Sequence, residues 1–201
     1  MNRERLEISA GAVFAAAAIC VFFDMYSILA VLLPVMIHEL SHVIVLRMFG
    51  MKIRSISIQL RGICIRYSGS SGVVGDIIAA GSGPAAGLLY ALTASRAGVM
   101  TDSSWLCLSA GVSLLLSVYN LLPAMPLDGG RIFFSIACVL FGEKKGEIIS
   151  SAVGTAVGSL LLVFGLTLMK RGQGMALTAA AVWILLCQRW GAGIVKRREV
   201  L

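Results

Sequence analysis

The stretch "MIHELSHVIV", residues 36 to 45, places His38, Glu39 and His42 inside a run apolar enough to cross a bilayer. An ionisable group at that depth costs roughly 2.5 to 3.5 kcal/mol even on the lenient insertion scale, so three of them within five residues argue for chemistry rather than packing. On a helix, positions i and i+4 share a face, so His38 and His42 offer two ring nitrogens to one ion. Glu39 lies about 100° further round, able to reach a water beside that ion without being a ligand. The pattern is that of a zinc hydrolase.

The surrounding composition sets the stage for that reading. Of 201 residues, 58% are hydrophobic and 13% charged, and the mean hydropathy is +0.92. Such a chain is an integral membrane protein, and one membrane domain over residues 1–201 is the economical organisation. The net charge of +7 does not indicate nucleic acid, because the basic residues sit in short clusters between apolar runs and match the positive-inside rule and anionic lipid instead. Cys20, Cys64, Cys107, Cys138 and Cys187 form no CxxC pair, which excludes a zinc ribbon, and four of them lie in apolar runs where cysteine acts as a small hydrophobe.

Six spans are expected: about 7–23, 25–49, 77–94, 104–122, 148–169 and 174–188. The first resembles a signal-peptide core but lacks a small-residue cleavage site, and is read as a retained span. A short apolar run over 132–141 follows a break rich in Pro and Gly, "NLLPAMPLDGGR" (120–131). After the second span, Ile56, Ile58 and Leu60 alternate with polar neighbours, which predicts a membrane-associated β segment over about 52–67, in two strands or one bulged strand. The fold class is therefore all-α and polytopic, with about six transmembrane helices and that β segment. Arg3, Arg5, the basic residues between Arg47 and Arg66, Lys144, Lys145 and the tail Lys196–Arg198 fall on one side of an even number of crossings. Both termini, and the side of the membrane nearer the active site, are expected to be cytoplasmic in a multi-pass cell-membrane protein. Arg96, Lys170 and Arg171 run against that pattern.

Zinc needs at least three protein ligands and an open position for water. His38 and His42 are the only histidines, so the third ligand must be a carboxylate or a thiolate. Asp128 is the aspartate set at a non-helical break at the end of an apolar span, which is tolerated at membrane depth only against protein or a cavity, and it is the choice here. The competing role is that of an N-cap for a helix starting near Gly129. Asn120 is either a polar helix end or an amide for a substrate backbone. Gly154 and Gly158 have the spacing of ordinary close helix packing, and "AAGSGPAAG" (79–87) likewise lets backbones approach.

HELSH in a transmembrane run, followed 86 positions after His42 by Asp128 within NLLPAMPLDGGR, resembles the site-2 protease family of intramembrane zinc metalloproteases (peptidase M50), to which the stage IV sporulation protease belongs. The resemblance extends to the strand-like segment and to the Gly-Pro of residues 83–84, and it departs at Met125, where the family often has Pro, and at Gly87, where it usually has Asn. It implies one Zn2+ per chain on His38, His42 and Asp128, Glu39 as catalytic base, and Asn120 holding substrate. No PDZ or CBS domain fits in 201 residues, so regulation by such domains is expected to be absent or to belong to a regulatory membrane partner. The expected substrate is a membrane-anchored protein, with a sporulation transcription-factor precursor and an anti-sigma factor both open. An extended substrate pairing with the strand near 53–60 would make Ile56 and Ile58 substrate contacts. The rival is a metal-binding transporter or scaffold, which has no use for Glu39 as a proton carrier.

Overall fold

A computed structural model of the chain describes residues 5–8, 24–59, 62–68 and 72–191. The described elements are β1 (Arg5–Ile8), α1 (Met25–Met48), β2 (Lys52–Gln59), β3 (Gly62–Ser68), α2 (Gly72–Met100), α3 (Ser104–Asn120), α4 (Asp128–Phe141), α5 (Glu143–Met169) and α6 (Met175–Gly191). Among them α1, α2 and α5 are long and apolar enough to cross a membrane, and α3 and α6 are shorter apolar helices. The 14 residues of α4 rise about 21 Å, short of a hydrocarbon layer of about 30 Å. Of the first expected span, Glu7 and Ile8 belong to β1 and residues 9–23 lie outside the described residues.

The described residues divide between Val118 and Tyr119 into two compact units. In the first, α1 begins on Asp24, whose carboxylate accepts hydrogen bonds from the Ser27 amide (3.0 Å) and the Ser27 hydroxyl (2.7 Å), satisfying one of the open donors of the first turn. The same two bonds, the hydroxyl's first, hold the Asp24 carboxyl below the usual aspartate range. Trp105 Nε1 donates to the Tyr26 carbonyl at 3.0 Å, tying the start of α1 to the start of α3.

A three-stranded sheet follows α1, in the order β1-β2-β3. β2 pairs antiparallel with β3 (Ile56 opposite Ile65, Ile58 opposite Ile63), with an irregularity between Ile53 and Ser55, and parallel with β1 (Leu6 opposite Ile56, Ile8 opposite Ile58). Strand β2 is therefore central along residues 55–58. This corrects the expectation that Ile56 and Ile58 lie on an open edge: both sides of the strand are occupied by its neighbours' main chains. Among the described residues, the outer edges of the sheet belong to β1 and β3.

Burial in the helices follows rows spaced by four. In α1 the buried residues are Ala30, Pro34, His38, His42 and Leu46. In α2 they include Gly75, Ala79, Gly83, Gly87 and Ala91, in α3 Ser109, Ser113 and Ser117, and in α5 Gly146, Ser150, Gly154 and Gly158. Large apolar residues face outward instead: Leu40 is 52% exposed, Leu115 72% and Leu160 71%. This is the packing of helices in lipid, where bulk outside gains as much from acyl chains as from protein and small residues inside let backbones close up. At Gly87 a Cβ would meet the Ser117 hydroxyl, and Ser113 donates to the Gly87 carbonyl at 2.8 Å.

The second unit holds α4, α5 and α6. Its core groups Ala124, Leu127 and the fully buried Ile184 with Tyr119, Leu122, Val157 and Leu161. Residues 121–127 form an irregular break in which Leu122 donates to the Tyr119 carbonyl, Ala124 to Leu122 and Leu127 to Ala124.

Candidate metal centre

His38 and His42 occupy successive places in the buried row of α1 and are only 4% and 8% exposed. Their ring centroids lie 5.0 Å apart, nearly perpendicular, and the two Nε2 atoms are separated by 3.3 Å. Two nitrogens each about 2.0 to 2.1 Å from one tetrahedral zinc ion would stand at about that distance. His42 Nδ1 is 2.7 Å from the Ala79 carbonyl oxygen, an acceptor only, so Nδ1 carries the proton and Nε2 keeps its lone pair. Ser82 Oγ donates to the same carbonyl at 2.7 Å and lies 3.4 Å from His42 Nδ1.

Gly83 makes room for this arrangement. A Cβ placed there would fall on the imidazoles, 2.7 Å from His38 Nε2 and 2.6 Å from His42 Cε1, closest of all to His42 Nε2. The space over both donor nitrogens is thus open because residue 83 has no side chain. In the sequence, residues 79–87 read as close packing and, by resemblance, as a Gly-Pro motif, and that reading does not single out Gly83, Ala79 and Ser82 as parts of the metal site. The signal was present in the row Gly75, Ala79, Gly83, Gly87, which matches the spacing of His38 and His42.

Asp128 is the first residue of α4 and is 8% exposed. The residue before the helix, Leu127, has extended backbone (φ −71, ψ 159) and no side-chain cap, so Asp128 does not serve as the N-cap that the sequence offered as its alternative. Its Oδ1 lies 3.8 Å from an Arg131 guanidinium nitrogen one turn on. One donor atom from each of His38, His42 and Asp128 lies within 4.8 Å of the others, and all three residues are buried. Two nitrogens and a carboxylate oxygen are a donor set typical of zinc, and the group fits a single zinc ion. Glu39, next to His38 on the helix, and Asn120, the last residue of α3, are both half-buried.

Comparison with known proteins agrees with this chemistry. The model of Peptidase family M50 matches residues 89–164. A candidate zinc metalloprotease of Synechocystis sp. is 30% identical over 138 residues, 65% of this chain and 36% of that protein. A zinc metalloprotease of Methanocaldococcus jannaschii is 27% identical over 152 residues, covering 72% of this chain and 44% of the relative. The fold is that of a solved site-2 protease from Methanocaldococcus jannaschii, with a TM-score of 0.70, 21% identity, and coverage of 92% of this chain and 89% of that one. The chain is thus similar to peptidase family M50 over residues 89–164 and shares the fold of a solved site-2 protease. Three of the described helices are long and apolar enough to cross a membrane, and the chain spans less than half the length of the curated relatives it matches.

Proposed function

We propose that this chain is an intramembrane zinc endopeptidase that hydrolyses membrane-anchored proteins. The observation that carries the reading is the buried grouping of His38, His42 and Asp128 beside Glu39. His38 and His42 would hold the metal through Nε2 and Asp128 through a carboxylate oxygen. A zinc ion held there would supply an acidified water and Lewis-acid polarisation of a carbonyl. Glu39 takes the proton from the attacking water and returns it to the nitrogen of the breaking peptide bond, so that water adds across the bond to leave a carboxylate and an amine.

A substrate helix hides its scissile carbonyl in an i to i−4 hydrogen bond and must unwind locally, which Gly or Pro in the target favours. Asn120, at the end of α3, would bond the unwound backbone through its amide. An extended substrate would add at an outer edge of the sheet, on β1 or β3, rather than on β2. The distribution of Lys and Arg supports cytoplasmic termini, with the His pair nearer that face. The substrate is a single-span protein such as a transcription-factor precursor or an anti-sigma factor, presented with or without a regulatory membrane partner.

Purification in detergent, zinc analysis, and incubation with single-span substrates bearing Gly or Pro in the span test the reading. Wild type should contain one zinc per chain and cleave, while Glu39→Gln should keep the zinc and lose cleavage. Zinc-dependent ion flux that survives Glu39→Gln, in a protein that cleaves nothing, would establish the transporter instead.

A further inference from the structure

Gln188 is a buried amide, 8% exposed, at the end of the apolar run of α6, directly before Arg189. Such a group is costly in an apolar layer unless its polar atoms are bonded. Its Nε2 donates to the Met125 carbonyl at 3.3 Å. Room for it comes from Gly154 on α5, where a Cβ would strike Gln188 Nε2 and lie 2.7 Å from Cδ. Two elements thus shape a slot for an amide that reaches into the break ahead of α4.

The break gives that amide something to hold. Pro123 and Pro126 have no N–H, which removes two donors from a seven-residue segment and leaves a need for donors from outside. Gln188 is one of three successive points on one face of α6 that meet this segment and the end of α3. At position 180 the main-chain carbonyl accepts from the Tyr119 hydroxyl at 3.4 Å. One turn later Ile184, with no exposed surface, packs in the cluster of Ala124 and Leu127. One turn further is Gln188 on Met125.

The break in turn bears directly on the first turn of α4. A Cβ on Gly129 would lie 2.7 Å from the Leu122 carbonyl oxygen and nearer still to Leu121, and one on Gly130 would lie 2.6 Å from Met125 N. Backbone rests on backbone there, with no side chain between to absorb a shift. A displacement of Met125 is therefore passed to Gly130 and to its neighbour in the same turn, Asp128.

We propose that Gln188 is a positioning residue for the third metal ligand: its amide holds the Met125 carbonyl and so fixes the break that carries Asp128. The proposal rests on the reading of Asp128 as a zinc ligand. The test is zinc affinity of the full chain in detergent, measured by competition with a chelator, for wild type, Gln188→Leu, Gly154→Ala, Asp128→Ala and Gln188→Leu combined with Asp128→Ala. Loss of an outer-shell partner that orients a ligand lowers metal affinity about 10- to 100-fold, and Gln188→Leu should fall in that range. Gly154→Ala, which pushes the amide off its slot, should weaken zinc binding in the same direction. With Asp128 already removed, Gln188→Leu should change the remaining affinity less than twofold. Wild-type affinity in folded Gln188→Leu would overturn the proposal, as would an equal loss in the presence and absence of Asp128, which would mark a general packing role. Wild-type affinity in Asp128→Ala would instead overturn the zinc reading on which the proposal stands.

Discussion

His38 and His42 lie in the middle of a 24-residue helix, where 3.6 residues per turn puts them on one face whatever else the chain does. Asp128 opens a 14-residue helix after seven residues of irregular chain, and its placement depends on prolines, glycines and an amide 60 residues away. The first region is positioned by local periodicity and trimmed by a neighbour, α2. The second is positioned by tertiary contacts throughout. Disturbing the histidine side therefore means filling space or breaking one hydrogen bond, whereas the aspartate side can be disturbed from several residues that never approach the metal.

The largest effect is expected at Glu39, which lies on the helical side and, on the proposed function, carries chemistry rather than structure. Glu39→Gln should reduce hydrolysis by about 10²- to 10⁴-fold, the range for a general base, with zinc content and melting temperature unchanged. Loss of zinc in that variant would merge base and ligand into one role and blur the contrast between the two regions.

Next is Gly83→Ala. A methyl group within 2.7 Å of His38 Nε2 stands where the donors converge, and zinc affinity should fall at least ~10-fold while the metal-free protein stays folded. Retained affinity would show that the imidazoles can swing away from α2, and that the helix alone sets their geometry.

Gly129→Ala probes the other region. Its methyl would meet the main chain of Leu121 and Leu122, which cannot rotate aside, so destabilisation of about 1 to 3 kcal/mol by thermal unfolding is expected. Gly87→Ala should cost less, because there the methyl meets a serine hydroxyl that can turn. Equal costs at the two sites would deny that the break is the more tightly constrained.

The smallest effect belongs to Asp24. Its carboxyl is held below the usual range by Ser27, so its capping contribution is complete above the unfolded-state value of about 3.9 and disappears as pH falls through the folded-state value. Asp24→Ala should melt slightly below wild type at neutral pH, and the difference should close as the pH drops below about 4. A difference that persists in acid would assign the effect to something other than charge.

The histidine pair could be read from sequence because its spacing and its cost in an apolar run are local properties. Asp128 could be named from the elimination of other ligands and from the family resemblance, but not the means by which it is held, since Met125 and Gln188 meet only in the folded chain. Gly83 was hidden by a chemical ambiguity: a glycine that admits a helix and a glycine that admits an imidazole look the same in a string. The sheet shows a different limit. Leu6 and Ile8 alternate with Arg5 and Glu7, a four-residue strand signal that merges into the apolar run behind it, and without β1 the strand β2 passes for an edge. Hydropathy alone does not fix the number of crossings, because α3 and α6 are nearly as apolar as the long helices while shorter in reach.

One consequence concerns how the interior of this protein can be interrogated at all. Every residue buried in α2 is already Gly, Ala or Pro. An alanine scan removes atoms, and along that face it would find almost nothing to remove and report silence beside the imidazoles. The informative survey runs the other way, adding one carbon at a time, and the positions that refuse the addition would trace where main chains touch.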